Sequence, residues 1–238
     1  VGLSGDRITS IGELSEAESV RRIDVSGRIV APGFIDVHNH SDGWLLKRPH
    51  FLPKTSQGFT TEVLMLDGIS YAPVSPDTAR QWLFYLRGLN ALRLEEYRGW
   101  ESIGEFLAEF DRAAAQNVVG QVPYANVRSL VCGFGKQWVD DLQMKMIQTE
   151  VHRGMQDGAV GISTGLDYIV QCYTTTDELV EACKVIAEYD GVYTTHVRYK
   201  KGIIEGIREA VEIGKRSGCR VHISHVKGRD EETIAALL

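Results

Sequence analysis

The order of the sequence patterns along residues 31–238 constrains the fold of this chain more than any other feature. Short, nearly continuous apolar runs alternate with amphipathic segments, so strand-like and helix-like patterns follow one another. Nearly continuous apolar strands are typical of parallel sheets that are covered on both faces. A repeated strand–helix order is typical of α/β proteins. The pattern therefore predicts an α/β fold with a parallel sheet and helices outside it.

Six runs in this region have the pattern of a strand. They are APGFIDVHNH (31–40), GFTTEVLMLDG (58–68), VPYANVRSLVC (122–132), GAVGISTG (158–165), VYTTHVR (192–198) and CRVHISHVK (219–227). A TIM-type (β/α)8 barrel has eight such strands. We therefore expect an incomplete TIM-type (β/α)8 barrel with about six of the eight strands. The chain starts at Val1 and ends in a helical pattern, so we expect a fragment whose last two strands would follow Leu238.

The segments between these runs have helical patterns, notably within residues 77–117 and at 141–156 and 202–218. Another helix is expected after Thr175, which can cap it, with Glu178 three residues further on as in a capping box. Residues 1–30 have short strand-like patterns, including Arg22–Val25, which precedes a turn at Gly27. We expect residues 1–30 to be part of a small β-sheet domain and residues 31–238 to be the partial barrel.

Charge and composition argue against several classes of partner. The formal net charge is −6 and no run of lysine or arginine could follow a phosphate backbone, so nucleic acid is not an expected partner. No apolar run reaches the ~18 residues needed to span a membrane. The four cysteines include no C-x-x-C pair, which is typical of reduced thiols in the cytoplasm. The sequence leaves the oligomeric state open.

Histidines at the ends of predicted strands indicate a metal site. His38 and His40 are two residues apart, so both side chains can point the same way, about 7 Å apart along the strand. His196 and His225 end the fifth and sixth predicted strands, whereas His222, three residues before His225, should face the opposite side. In TIM barrels the carboxyl ends of the strands form the active site. Imidazoles that converge there are suitable ligands for zinc.

The runs that carry these histidines also resemble a known family. APGFIDVHNH resembles the first-strand signature of the amidohydrolase superfamily. Further runs resemble, in the same order, segments of its N-acyl-D-amino-acid deacylases; these are GFTTEVLMLDGISYAP, WESIGEFLAEFDRA, GAVGISTGLDY, YTTHVR and ISHVKG. The similarity covers roughly residues 31–229. It implies a metal-dependent hydrolase that converts an N-acyl-D-amino acid, a small-molecule substrate, into a D-amino acid and a carboxylate. Water activated by one or two zinc ions would perform the hydrolysis.

The resemblance also implies roles for particular residues. It makes His38, His40, His196 and His225 metal ligands, and these are joined by Asp67, which occupies the position of a family cysteine. A carboxylate can also bind zinc, so we expect Asp67 to be a ligand as well.

Two further residues match substrate-binding positions of the family. Tyr168 and Lys227 stand where the family lines the acyl pocket and holds the substrate carboxylate. The general base of the family is an aspartate on the eighth strand, expected beyond Leu238, so we expect the 238 residues alone to be inactive.

Two alternatives remain open. A cyclic-amide hydrolase of the dihydroorotase or hydantoinase kind usually has a carboxylated lysine on the fourth strand, but GAVGISTG contains no lysine. A non-catalytic protein that kept the amidohydrolase fold and lost its metal is favoured only by Asp67 in place of cysteine. Metal content would distinguish this scaffold from an enzyme.

Overall fold

The structure is a computed structural model that describes residues 1–135, 138–228 and 230–237. The chain divides into two compact units, residues 1–33 and residues 34–238. The first unit contains an antiparallel hairpin of β1 (Gly2–Ser4) and β2 (Arg7–Ser10).

The predicted strand at Arg22–Val25 is wrong. This segment has no regular secondary structure, and the side chains of Ile23 and Val25 are exposed. The alternation of polar and apolar residues therefore buries no face, and burial of one face is what stabilises such a strand. The predicted turn at Gly27 is confirmed, with a φ angle of 73°.

The second unit contains parallel strands in sequential order. Their bounds are β3 (Phe34–Asp36), β4 (Phe59–Leu64), β5 (Asn117–Gly120), β6 (Val122–Pro123), β7 (Gly161–Gly165), β8 (Val192–His196) and β9 (Arg220–Ile223). One sheet has the order β3-β4-β5 and the other the order β6-β7-β8-β9, and every neighbouring pair is parallel. Only Gln121 separates β5 from β6, so residues 117–123 pass from one sheet to the other. The expected α/β fold with parallel sheets is confirmed.

Helices occupy most of the connections between these strands. Their bounds are α1 (Asp42–Lys47), α2 (Leu52–Thr55), α3 (Pro76–Leu86), α4 (Ile103–Ala108), α5 (Tyr124–Cys132), α6 (Asp141–Gln156), α7 (Thr176–Ala187), α8 (Ile203–Ser217) and α9 (Glu231–Leu237). Short 3-10 turns lie at Leu94–Glu96, Gln171–Tyr173 and Tyr199–Lys201. The Thr175 hydroxyl accepts a hydrogen bond from the Glu178 amide, so the predicted cap of α7 is confirmed. No helix among the described residues is both long and apolar enough to cross a bilayer.

The third predicted strand is mostly wrong. Only Val122–Pro123 of the run VPYANVRSLVC is a strand, and Tyr124–Cys132 forms α5. Most of α5 is buried, and an apolar run that is buried all round does not show by its periodicity whether it is a helix or a strand. The strand that takes the place of this run is mostly β5 (Asn117–Gly120), which begins where the region predicted to be helical, residues 77–117, ends.

The core of the second unit lies between the sheets and these helices. Its largest fully buried side chains include Trp82 of α3, Phe106 of α4 and Tyr193 of β8. Because the strands within each sheet of this unit are parallel, their carboxyl ends lie along one edge of the sheet. The segments that follow β3, β4, β7, β8 and β9 therefore meet on the same side of the fold.

Candidate metal centre

The segment after β3 carries two half-buried histidines. His38 and His40 follow the last strand residue, Asp36, by two and four positions. Their rings lie 5.5 Å apart between centroids. Both ring nitrogens of His38 and Nδ1 of His40 are buried without a hydrogen-bond partner. Buried polar atoms normally have partners, so these unpartnered nitrogens indicate that a ligand binds here.

The turn after β4 brings Asp67 between the histidines. Its side chain is 3% exposed, and its Oδ1 is buried without a hydrogen-bond partner. Oδ1 lies 3.5 Å from Nε2 of His38 and 3.9 Å from Nε2 of His225, while Oδ2 lies 3.3 Å from Nε2 of His40. One carboxylate therefore faces imidazoles from two distant segments of the chain.

The backbone of this turn has an unusual conformation. Met65 and Asp67 have φ angles of 63° and 55°, in the left-handed region that non-glycine residues rarely adopt. Gly68 follows with a φ angle of 69°, and a Cβ atom there would lie 2.0 Å from Oε1 of Gln171. Such conformations persist where the surrounding structure holds them, and they often occur at functional sites.

Two buried side chains hold the turn in place. The Ser163 hydroxyl of β7 donates to the Met65 carbonyl at 2.5 Å and accepts from the Gly68 amide at 3.1 Å. Nε2 of Gln171 donates to the Asp67 carbonyl at 3.0 Å, and Oε1 accepts from the Gly165 amide. Sequence reasoning missed Ser163 and Gln171, because their roles depend on contacts with backbone about 100 residues earlier.

His196 and His225 complete the cluster of histidines. The ring of His225 lies 4.4 Å from that of His38 and 5.2 Å from that of His196 between centroids. The Tyr168 hydroxyl lies 3.3 Å from Nδ1 of His196. Nε2 of His196 lies 3.7 Å from a carboxylate oxygen of Asp167. The five predicted ligands and Tyr168 are thus brought to one place.

Lys227 lies on the open side of this cluster. Its ammonium group is 4.7 Å from the centre of the Tyr199 ring, and the Tyr199 hydroxyl donates to the His225 carbonyl. The ring of Tyr199 also packs edge-on against His196, 4.8 Å away between centroids. Tyr199, which sequence reasoning missed, therefore links both histidines to the predicted substrate-binding lysine.

The histidines have different proton affinities in this setting. Burial lowers the pKa of His38 to about 4, against the opposing charge of Asp67. Burial also lowers the pKa of His196, and the nearby His225 adds to this effect. The pKa of His40 is raised: burial opposes the charged form, but the hydrogen bond to Asp67 and the charge of Asp42 outweigh burial. Burial alone would raise the pKa of Asp67, but His40 and His38 together lower it.

The donor set fits a divalent metal ion. Ligand atoms of His38, Asp67 and His225 all lie within 4.8 Å of one another, and His40 faces the same carboxylate. Neutral imidazoles and one carboxylate are ligands that zinc accepts. The low pKa of His38 keeps the ring neutral near neutral pH, so that one of its nitrogens has a free lone pair, as metal binding requires.

Comparison with known proteins gives the family context. No family model matches the chain. The chain is 35% identical over 242 residues to a D-aminoacylase of Alcaligenes xylosoxydans xylosoxydans, an alignment that covers 98% of this chain and 49% of that protein. The chain thus spans about half the length of the curated relatives it matches.

Solved structures agree with this relationship. The crystal structure of a D-aminoacylase has a TM-score of 0.82 and 33% identity, covering 98% of this chain and 50% of that one. An N-acyl-D-glutamate deacylase of Bordetella bronchiseptica, complexed with zinc and a phosphonate inhibitor, has a TM-score of 0.83 and 32% identity, covering 97% and 49%. The predicted relationship is confirmed. Over about half the length of these proteins, the chain is a homologue of the N-acyl-D-amino-acid deacylases, which are amidohydrolases.

Proposed function

We propose that the protein containing this chain is a zinc-dependent hydrolase that converts an N-acyl-D-amino acid into a D-amino acid and a carboxylate. The observation that carries the proposal is the position of Asp67, whose buried carboxylate faces His38, His40 and His225. The similarity to deacylases, one of them complexed with zinc, supports the same activity.

The chain's own residues supply the metal ligands. His38, His40, Asp67 and His225 would hold one ion, and His196 beside His225 would contribute to a second. When bound, zinc lowers the pKa of a water ligand toward ~7 and polarises a substrate carbonyl. The charge of Asp67 offsets part of the positive charge of the metal, and the neutral His38 ring needs to release no proton at neutral pH.

Lys227 and Tyr168 would orient the substrate. An ammonium group on a flexible stem suits the α-carboxylate of an amino acid. Tyr168 offers an aromatic face beside His196 for the acyl group, and burial raises the pKa of its hydroxyl, which keeps it protonated as a donor. The proton acceptor expected from the family, an aspartate on an eighth strand, does not belong to these 238 residues.

The proposal also concerns the barrel architecture of the chain. We infer that β3 to β9, with β5 and β6 sharing one position, are six consecutive strand positions of an incomplete TIM-type (β/α)8 barrel. Residues 31–238 form this barrel, and a small β-sheet domain that includes residues 1–30 precedes it. The rings of His38 and His225 support this inference. These residues follow the first and last strands of the series, yet their rings lie 4.4 Å apart between centroids. Strands arranged around a barrel axis bring such ends together, whereas a flat sheet separates them.

Two measurements test the function. Zinc content of the dialysed chain, determined by plasma mass spectrometry, is expected to be one or two ions per chain and to fall in a His38→Ala variant. The gene product that contains this chain is expected to release D-amino acids from N-acetyl-D-amino acids and not to open hydantoin rings. Absence of stoichiometric zinc would favour the scaffold, and ring opening would favour the cyclic-amide hydrolase.

A further inference from the structure

A fully buried carboxylate next to the metal centre has a role that the proposed mechanism does not use. Asp42 begins α1, two residues after His40, and its side chain is 0% exposed. Its Oδ1 accepts from the Met65 amide at 3.2 Å and from the Ser70 hydroxyl at 2.5 Å. Its Oδ2 is buried without a hydrogen-bond partner.

These contacts join two ligand-bearing segments. Met65 and Ser70 lie at the two ends of the left-handed turn that contains Asp67, so Oδ1 of Asp42 is hydrogen-bonded to both ends of that turn. The carboxylate belongs to the segment of His40, and its charge helps to raise the pKa of that imidazole. Nδ1 of His40 is itself buried without a partner. Metal-binding histidines commonly depend on a nearby carboxylate that fixes the ring and increases its basicity.

We infer that Asp42 is a positioning residue: its Oδ1, which accepts from Met65 and Ser70, sets the relative placement of His40 and Asp67 and so strengthens zinc binding without contact to the ion. This inference rests on the proposed zinc centre. Asp42 is fully buried, so its carboxylate does not reach solvent or substrate.

The test is the zinc affinity of the 238-residue chain, measured by competition with a chelator at low temperature, where the variants stay folded. Asp42→Ala removes the acceptor that Met65 and Ser70 share, and with it the link between the two ligand segments. We expect zinc affinity to fall about 10- to 100-fold, the usual effect of losing such a partner of a metal ligand. Unchanged affinity would overturn the inference.

Glu62→Ala is the matched control. Glu62 is also a fully buried carboxylate, but its hydrogen-bond partners are Gln116, Lys54 and Ser41, and none of these is a predicted ligand. Its loss should lower the melting temperature without changing zinc affinity. If both variants weaken zinc binding equally, Asp42 acts through general stability and the inference is wrong.

Ser70→Ala keeps the test decisive if Asp42→Ala does not fold. This variant leaves the carboxylate in place but removes one of the two donors that orient it. We expect a smaller loss of zinc affinity, about threefold to tenfold, the usual effect of losing one hydrogen bond. An unchanged affinity in Ser70→Ala would contradict the inference. Failure of the wild-type chain to bind zinc would instead refute the proposed function itself.

Discussion

The two sides of the candidate metal centre are built in different ways. On the β3–β4 side, which comprises residues 38–42 and 65–70, polar groups are buried and backbone hydrogen bonds fix the turn. On the β7–β9 side, which comprises residues 165–171, 196–199 and 225–227, aromatic rings pack around His196 and His225. His225 is 32% exposed, whereas Asp67 is 3% exposed. We infer that the β3–β4 side fixes the ion, to which His225 also contributes, and that the β7–β9 side also admits the substrate of the proposed hydrolase.

Removal of Asp67 should have the largest effect on this difference between the two sides. Asp67→Ala removes the one carboxylate that faces His38, His40 and His225. If each ligand supplies roughly a quarter of the binding free energy of zinc, affinity should fall about 100- to 1000-fold. Chelator competition measures this loss. Tight zinc binding by the variant would show that the β3–β4 side does not fix the ion.

The second prediction concerns the pH dependence of the metal-free chain. The folded pKa of His38, about 4, lies below its unfolded value of 6.5, so the unfolded state binds more protons between these values. The stability that depends on a neutral His38 is fully present above pH 6.5 and is lost as the pH falls toward 4. The loss should be about 3 kcal/mol. Urea unfolding at a series of pH values should show this slope, and His38→Asn should reduce it.

Replacing Lys227 on the β7–β9 side should weaken substrate binding and leave zinc binding unchanged. Lys227→Met keeps a long apolar stem but removes the charge that would hold the α-carboxylate. In the gene product that contains this chain, KM for an N-acyl-D-amino acid should rise about 10- to 100-fold, the range for a hydrogen bond to a charged group. Zinc affinity should stay unchanged. A variant that lost zinc with unchanged KM would reverse the roles of the two sides.

Tyr168 should produce the smallest effect. Tyr168→Phe keeps the ring that packs on His196 and removes the hydroxyl, which lies 3.3 Å from Nδ1. We expect kcat/KM to fall less than about tenfold, the range for one neutral hydrogen bond. A full loss of zinc in this variant would mean that Tyr168 serves the metal and not the substrate.

The sequence predicted which residues the structure brings together at the candidate metal centre better than it predicted some of the elements around it. His38, His40, His196 and His225 were found because apolar strand patterns end at polar residues, and Asp67 was found by its position in a family motif. The run 122–132 was misassigned, because a helix that is buried on nearly all sides has the same apolar composition as a buried strand.

The supporting residues could not have been found in this way. Ser163 and Gln171 hold the Met65–Gly68 turn across about 100 residues of sequence, and nothing near them in the sequence marks that contact. Asp42 is closer to a recognisable signal, because it follows His40 by two residues. Its partners Met65 and Ser70, however, lie on another strand connection, so only the fold shows that it joins two ligand segments.

The most direct test of the account is an anomalous difference map at the zinc absorption edge, from crystals of the chain grown with zinc. The account predicts a peak about 2.0 to 2.2 Å from a nitrogen of His38, a nitrogen of His225 and an oxygen of Asp67. Peaks only elsewhere on the surface, with the Asp67 carboxylate free of metal, would contradict it.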